Sequence, residues 1–323
     1  MIGNRIVISK YNGEYTRFLN SRDYTIYTVD IREVLTPIEF QGKILNLRHI
    51  ELTEKQRGPP VILLPGINGF AESYYWNLKT IYSAGYWPMA LDNLGFGGSD
   101  KLEGGIYEFS MFSEAVVEWI KTMELDDIVL VGNSLGGGVS VGIWEYMPEN
   151  IKAMVLVSSA GFGNELSILY RIASLPGIAE FVSWIIINPY LPLNKGKKAW
   201  KSIVYNHNAL PDELIEVSNN FKKDTEIRKT YKYVLRNFIS FKGQSPEVTQ
   251  LIHRASHKIK ESNVPVLIIW GENDHVIPIS HAYSAVEHTD GNLLIFENCG
   301  HMPYVEQVQR FNHEMHKFLK SLS

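Results

Sequence analysis

The chain has 323 residues, 45% of them hydrophobic and 20% charged, which is typical of a soluble globular protein with one large domain and an insertion, or with two small domains. Its net charge of −4 leaves no basic excess for neutralising phosphates, so we expect no nucleic-acid partner. Cys299 is the single cysteine of the sequence, which excludes an internal disulfide framework and favours a reducing compartment.

The N-terminal residues 1–28 read as a polar and aromatic arm, to which we assign no function. Residues 1–10 hold a short apolar stretch but lack the long apolar core and the small-residue cleavage site of a signal peptide, so we expect a cytoplasmic location. From residue 27 to residue 52, alternating apolar positions broken by Gln41 and Gly42 predict a hairpin.

A continuous apolar run at 61–64 is typical of a strand that is buried on both faces of a parallel sheet. From there strands and helices alternate, which predicts the α/β class: a doubly wound, mostly parallel sheet with helices on both faces. We expect this core to comprise residues 29–160 and 248–323. Its predicted strands lie at 61–64, 87–91, 128–131, 153–157, 266–270 and 293–296, and its predicted helices at 73–84, 112–123, 139–146 and 304–319.

Residues 161–247 interrupt this alternation and are rich in helix formers and aromatic side chains. We expect them to form a helical lid, or cap, that is inserted after the sixth predicted strand and lies over the C-terminal edge of the sheet. The most apolar stretch of the chain, residues 178–187, falls in this lid. It contains Glu180 and is too short to span a bilayer, so we expect no stable membrane insertion and a lid helix that faces the active site.

Ser134 lies at the centre of a Gly-x-Ser-x-Gly pentapeptide between the predicted strand at 128–131 and a predicted helix. Such a nucleophile elbow holds the serine hydroxyl at the top of the sheet on a strained turn, and a Cβ at Gly132 or Gly136 would collide with the neighbouring strand or helix. The start of the helix places backbone N–H groups beside the hydroxyl. Because a serine hydroxyl is a weak nucleophile, the chain must also supply a base and a carboxylate that orients it.

Asp274 and His301 are the candidates for the acid and the base. Each follows directly after an apolar strand, so both are expected at the carboxyl edge of the sheet, where Ser134 also lies. Two nearby acids, Glu272 and Asp290, are rivals for the first role, and the position of Asp274 in its loop favours it. The chain order of serine, aspartate and histidine is that of one known triad arrangement.

From about residue 61 to its C-terminus, the sequence resembles the α/β-hydrolase family. Five motifs in order carry the resemblance. The elbow, a Gly-x-x-Asp-x-x-x-Pro segment around Asp274 and a Gly-His pair ending at His301 match the catalytic segments of the family. Residues 91–100 match its Asp-x-x-Gly-x-Gly-x-Ser loop, and residues 64–67 resemble its oxyanion loop, with proline in place of the usual histidine.

The resemblance implies a role for each residue of the site. Ser134 attacks a carbonyl carbon, His301 takes and later delivers the proton, and Asp274 orients the imidazole and stabilises its charged form. The backbone N–H groups of Ile67 and Leu135 form the oxyanion hole.

Four further residues are candidate substrate contacts: Asn68, Asn133, Trp184 and Met302. We expect no cofactor, because the glycine-rich segments lack the spacing of a dinucleotide-binding loop. We also expect no metal, since His253 and His257 have a helical spacing that can bind metal but lack the glutamate of a zinc protease motif.

The serine at the elbow disfavours the dehalogenase and epoxide hydrolase chemistry of this fold, which uses aspartate there, and leaves attack on a carbonyl. Our first hypothesis is a serine carboxylesterase, a carboxylic-ester hydrolase that acts on a small or medium, fairly apolar acyl substrate. The alternative is a C–C hydrolase of meta-cleavage (ring-fission) products: Asn133 and Cys299 resemble that branch, whereas Met302 stands where it commonly has tryptophan. A receptor-like hydrolase relative with slow turnover is a hypothesis from another class. The expected partner is a small ester-like molecule, and the oligomeric state stays open, with a homodimer among the options.

Overall fold

The computed structural model of the protein describes residues 7–9, 30–54, 58–104, 106–186, 200 and 202–322. The predicted N-terminal arm therefore lies outside the described residues, apart from the strand Val7–Ser9. Residues 187–199 of the predicted lid also lie outside them.

The described elements alternate between strands and helices along most of the chain. The strands are β1 (Val7–Ser9), β2 (Ile31–Phe40), β3 (Lys43–Leu52), β4 (Pro60–Leu64), β5 (Trp87–Leu91), β6 (Ile128–Asn133), β7 (Ile151–Val157), β8 (Ile239–Ser240), β9 (Gly243–Gln244), β10 (Val266–Gly271) and β11 (Asn292–Phe296). The helices are α1 (Tyr75–Ser83), α2 (Phe109–Thr122), α3 (Leu135–Ile143), α4 (Ile168–Ala173), α5 (Ile178–Ile186), α6 (Asp212–Phe221), α7 (Thr225–Phe238), α8 (Pro246–Ser262), α9 (Ser280–Thr289), α10 (Pro303–Glu306) and α11 (Val308–Ser321). Short 3₁₀ turns lie at Ala71–Tyr74, Pro148–Asn150 and His207–Ala209.

The main sheet has the strand order β1-β2-β3-β5-β4-β6-β7-β10-β11 among the described residues. The pairs β1–β2, β2–β3 and β3–β5 are antiparallel, and the five pairs from β5 to β11 are parallel. The predicted doubly wound, mostly parallel sheet is confirmed, and so is the hairpin that turns at Gln41 and Gly42.

Strand β4 shows why the central strands read as continuous apolar runs. Val61 and Leu63 pack in the hydrophobic cluster on one face of the sheet, and Ile62 and Leu64 pack in the cluster on the other face. All four side chains are fully buried. A parallel strand covered by helices on both sides has no face on which a polar residue is tolerated.

The C-terminal helix differs from its prediction. The single helix expected at 304–319 is two helices, α10 and α11, because Gln307 is not helical (φ −129°, ψ 57°). Its side chain is held by the backbone, since Gln307 Nε2 donates to the carbonyl of Glu297 at 2.7 Å. The helix expected at 139–146 begins earlier, at Leu135, so it starts directly after the serine.

The section predicted as a lid contains α4 to α7 and the β8–β9 hairpin. It follows β7, the seventh of the described strands rather than the sixth, because β1 precedes the strands that were predicted. The expected boundary between 247 and 248 falls in the first turn of α8, which starts with Pro246 after Ser245 as its N-cap. The rest of α8 packs in the hydrophobic core on one face of the sheet, where Ile252 and Ile259 are fully buried.

Candidate active site

Ser134 lies in the turn between β6 and α3 and has φ 54° and ψ −117°, a backbone conformation that non-glycine residues rarely adopt. Four hydrogen bonds hold this turn. The Ser134 N–H donates to the carbonyl of Val157 at 3.0 Å, and its carbonyl accepts from the N–H groups of Gly137, Gly138 and Ala160 at 3.0–3.2 Å. The strain is therefore compensated by the backbone around it, and the expected nucleophile elbow is present.

The two glycines of the elbow are required by close approach of the backbone. A Cβ on Gly132 would overlap the carbonyl of Gly136, and a Cβ on Gly136 would overlap the carbonyl of Leu64 on the neighbouring strand β4. Neither carbonyl can move without breaking the sheet or the first turn of α3.

Asp274 follows β10 and is held by its own loop. Its Oδ1 accepts from the N–H groups of Val276 at 2.8 Å and Ile277 at 3.0 Å. Its Oδ2 lies 2.8 Å from Nδ1 of His301, which is supplied by the loop after β11. This contact fixes the orientation of the imidazole and leaves Nε2 as the ring nitrogen that can act as a base.

Ser134 and His301 open into one cavity of about 390 Å³. Its described lining is mostly apolar and comes from the core and from the section predicted as a lid: Gly66, Ile67, Asn68, Gly69, Phe70, Ser73, Asn133, Ser134, Ser167, Leu169, Tyr170, Ile172, Ala173, Val182, Trp200, Ser202, Ile203, Lys222, Tyr231, Val276, His301, Met302 and Tyr304. Asp274 lies behind the histidine and is almost completely buried. The structure thus brings the three predicted catalytic residues together, with the serine and the histidine facing the same space.

The predicted oxyanion donors belong to a loop that lines the cavity and to the start of α3. Ile67 lines the cavity, and its loop contains Asn68 with φ 55° and a hydrogen bond from the Gly69 N–H to the Gly66 carbonyl at 2.9 Å. Leu135 is the first residue of α3, where backbone N–H groups lack partners within the helix.

A buried ionic network that sequence reasoning missed lies close to the loop that is predicted to supply an oxyanion donor. Arg48 forms ion pairs with Glu33 at 2.9 Å, Glu72 at 2.5 Å and Asp92 at 2.7 Å. Asp92 also accepts from the N–H of Ala71, just beyond the loop, at 2.7 Å. Burial raises the pKa of Asp92, while Arg48 acts in the opposite direction. The glycine-rich motif at 91–100 was the signal for this network, but its arginine partner comes from β3, more than forty residues earlier in the chain.

Of the four candidate substrate contacts, Asn68, Asn133 and Met302 line the cavity. The side chain of Asn133 is already engaged, because its Nδ2 donates to the carbonyls of Val157 at 3.1 Å and His301 at 3.0 Å. The prediction that Trp184 contacts the substrate does not agree with the position of this residue. This side chain is 51% exposed and is not part of the described lining, to which α5 contributes Val182 instead.

The described residues contain no group of three or more His, Cys, Asp and Glu side chains that could hold a metal ion. His253 stacks on His288 with ring centroids 4.4 Å apart, and His257 is exposed with its Nδ1 3.5 Å from Glu261. Cys299 is fully buried, and burial raises the pKa of its thiol. None of these side chains lines the cavity.

A sequence model of the alpha/beta hydrolase fold family matches residues 59–308, which is most of the chain. The chain is an α/β-hydrolase. The family resemblance that was expected from the sequence is therefore confirmed.

This hydrolase is 28% identical over 269 residues to an uncharacterised protein of Mycobacterium tuberculosis, covering 81% of this chain and 75% of the relative. It is 26% identical to a 2-hydroxy-6-oxo-6-phenylhexa-2,4-dienoate hydrolase of Burkholderia cepacia, covering 85% of this chain and 92% of the relative.

Solved structures share the fold. A meta-cleavage product hydrolase of Pseudomonas fluorescens superposes with a TM-score of 0.68 at 22% identity, covering 89% of this chain and 98% of that one. An esterase of Exiguobacterium antarcticum superposes with a TM-score of 0.67 at 19% identity, covering 88% and 98%. At these identities, the likeness shows the fold. No helix in the described part of the hydrolase has both the length and the apolar character needed to cross a bilayer.

Proposed function

We propose that this α/β-hydrolase cleaves a carboxylic ester through a covalent acyl-enzyme. The observation that carries the proposal is the contact of Asp274 with His301 Nδ1 at 2.8 Å, behind a cavity that both His301 and Ser134 line. Oγ of Ser134 attacks the ester carbon as Nε2 of His301 takes its proton. The same proton then goes to the leaving alkoxide, and a water molecule activated by His301 hydrolyses the acyl-enzyme.

Two backbone donors complete the proposed site. In this proposal, the N–H groups of Ile67 and Leu135 stabilise the negative charge on the carbonyl oxygen in the tetrahedral intermediate. One such donor is typically worth roughly 2.7–4 kcal/mol of transition-state stabilisation. Because these donors belong to the backbone, side-chain substitutions at Ile67 and Leu135 are expected to affect turnover far less than substitution of Ser134.

The lining of the cavity supports the proposed substrate class. Helices α4, α5 and α7 contribute Leu169, Tyr170, Ile172, Val182 and Tyr231 to the cavity, which supports the proposal that this section is a lid over the site. An apolar cavity of about 390 Å³ suits a small or medium acyl group. A cytoplasmic location and a homodimer stay predictions from the sequence.

The test measures turnover of p-nitrophenyl butyrate and labelling by a fluorophosphonate probe. Ser134→Ala is expected to abolish both, since loss of a catalytic serine costs about 10⁶ in turnover. Ser83→Ala is the matched control, because that exposed serine caps the end of α1 far from the cavity lining. Full turnover in the Ser134→Ala protein would overturn the mechanism. Tight binding of esters without turnover in the wild-type protein would favour the receptor-like hypothesis.

A second function, hydrolytic C–C cleavage of an acid-bearing diketone, is favoured by Lys222. This side chain lines the same cavity at the end of α6 and is only 6% exposed. Burial lowers its pKa to about 8, and none of the described lining residues carries a carboxylate. The dienoates named for the Burkholderia relative carry a carboxylate that such a lysine would bind.

The two functions are separated by substrate. Bleaching of the coloured 2-hydroxy-6-oxo-6-phenylhexa-2,4-dienoate with little ester cleavage would favour C–C hydrolysis. Lys222→Met is then expected to lower kcat/KM for the dienoate by about 10- to 100-fold, the value of a hydrogen bond to a charged group, while neutral esters are unaffected. Lys223→Met is the matched control, since Nζ of Lys223 is exposed and donates to Asn220 at 2.9 Å.

A further inference from the structure

Glu306, the last residue of α10, is a buried carboxylate that accepts hydrogen bonds from backbone N–H groups on two separate parts of the chain. From the loop of His301, the N–H of Gly300 donates to it at 2.9 Å and the N–H of Met302 at 3.4 Å. From the other side, the N–H groups of Tyr205 and Asn206 donate to its Oε2 at 2.8 and 3.0 Å. The side chain therefore joins two segments that lie about a hundred residues apart.

Residues 202–206, here called the return segment, lie within the section proposed as a lid and precede α6. The segment touches the catalytic loop directly as well, because the N–H of His301 donates to the carbonyl of Ile203 at 2.9 Å. Gly300 allows this approach, since a Cβ there would lie 2.6 Å from the backbone nitrogen of Tyr205. Ser202 and Ile203 also line the cavity. One short segment thus forms part of the cavity wall and part of the support of the histidine.

We propose that Glu306 is a positioning residue that couples the seating of the return segment to the placement of His301. A carboxylate has two oxygens that accept only, so it can serve donors from both segments at once. If the return segment moves away, the N–H groups of Tyr205 and Asn206 lose their acceptor, and the backbone of His301 loses its bond to Ile203. The histidine would then be correctly placed only when the return segment is seated. This inference rests on the proposed role of His301 as the base.

The groups that act on Glu306 support this role. Burial raises the pKa of its carboxyl, while hydrogen bonds from the backbone of Asn206, Gly300, Tyr205 and Met302 lower it. Removing the carboxylate would leave the buried N–H groups of Gly300 and Met302 without this acceptor, together with the part-buried N–H groups of Tyr205 and Asn206.

The first test changes the acceptor. Glu306→Gln keeps the shape but turns one acceptor into a donor that faces backbone N–H groups, so fluorophosphonate labelling of Ser134 is expected to slow at least about tenfold. For p-nitrophenyl butyrate, kcat is expected to fall with KM little changed. Hydrogen exchange should accelerate in residues 202–206 and 300–302 together, with the rest of the chain unchanged. Glu297→Gln, an exposed position in the preceding loop, is the matched control.

The second test acts from the other side of the contact and leaves the catalytic loop intact. Asn206→Pro deletes one donor to Glu306, and the φ of −88° at Asn206 is close to that of proline. The Asn206 side chain also accepts from the N–H of Asn208, so Asn206→Ala, which loses that contact but keeps its own N–H, is the control. We expect slower labelling of Ser134 in the proline variant than in the alanine variant.

The outcomes separate this inference from the proposed function. Wild-type labelling rates in both Glu306→Gln and Asn206→Pro would overturn the coupling, as would exchange that accelerates in only one of the two segments. A wild-type protein that is neither labelled nor active would overturn the proposed function. In that case, the exchange measurement would still decide whether the two segments are coupled through Glu306.

Discussion

Replacing Lys222 with methionine removes a buried charge and keeps an unbranched side chain of similar length. In the folded protein, Lys222 is 6% exposed and lines the mostly apolar cavity. Its ammonium group is therefore poorly hydrated and, with no ligand bound, has no compensating carboxylate in the described lining. We expect Lys222→Met to stabilise the protein at pH 7.

The magnitude follows from the pKa. Burial lowers the pKa of Lys222 from the ordinary 10.5 to about 8, and at about 1.4 kcal/mol per pKa unit this difference corresponds to a cost of about 3 kcal/mol at neutral pH. The lysine is protonated in both folded and unfolded chains below pH 8, so the cost is constant there. Between about pH 8 and 10.5 the folded protein loses the proton first, and its stability rises with pH relative to the methionine variant.

The assay is urea unfolding of the wild-type and variant proteins at pH 7 and pH 10, at constant ionic strength. The variant is expected to be more stable by up to about 3 kcal/mol at pH 7, with most of that advantage gone at pH 10. Lys223→Met, next in the chain but exposed, should change the free energy of unfolding by less than about 0.5 kcal/mol. A methionine variant that is less stable at pH 7, or a difference that does not vary with pH, would refute the reasoning.

Two further substitutions test buried positions outside the cavity lining. Gly136→Ala should lower the free energy of unfolding by at least about 1–3 kcal/mol in the same urea assay, because its Cβ would overlap the carbonyl of Leu64. His49 is fully buried, neither ring nitrogen has a hydrogen-bond partner among the described residues, and burial lowers its pKa to about 3. Below pH 6.5 the unfolded chain binds a proton that the folded one excludes, so the wild type should lose about 1.4 kcal/mol per pH unit down to about pH 3. His49→Leu should escape this loss, and an acid titration of the two proteins showing equal midpoints would contradict that explanation.

The parts of the fold that the sequence predicted correctly are those set by local patterns. The apolar run of β4 requires burial on both faces. The turn at Ser134 requires glycine at positions 132 and 136, because a Cβ at either would overlap a backbone carbonyl. Loops that follow parallel strands share one edge of the sheet, so Asp274 and His301 could be placed beside each other without knowledge of any contact.

The features that could not be predicted from the sequence depend on contacts between residues that are far apart in the chain. Glu306 contacts Tyr205 across 101 positions, and no local pattern near either residue indicates the pairing. Trp184 was predicted to contact the substrate, but it is 51% exposed, and α5 contributes Val182 to the described lining instead. Which face of such a helix points to the site depends on how the helix docks, and an isolated amphipathic pattern does not specify it.

Three buried charged side chains near the site differ in how their charge is satisfied, and this difference indicates what each one does. Arg48 forms ion pairs with carboxylates from three parts of the chain, so its charge is compensated within the protein. Glu306 is satisfied by backbone N–H groups and holds two segments together. Lys222 faces the cavity, and burial alone perturbs its pKa. A buried charge that the folded chain leaves uncompensated lowers stability, and a carboxylate on a bound substrate would compensate it. For the proposed C–C hydrolysis, the carboxylate of the dienoate is therefore expected beside Lys222, with the reacting carbonyl at Ser134.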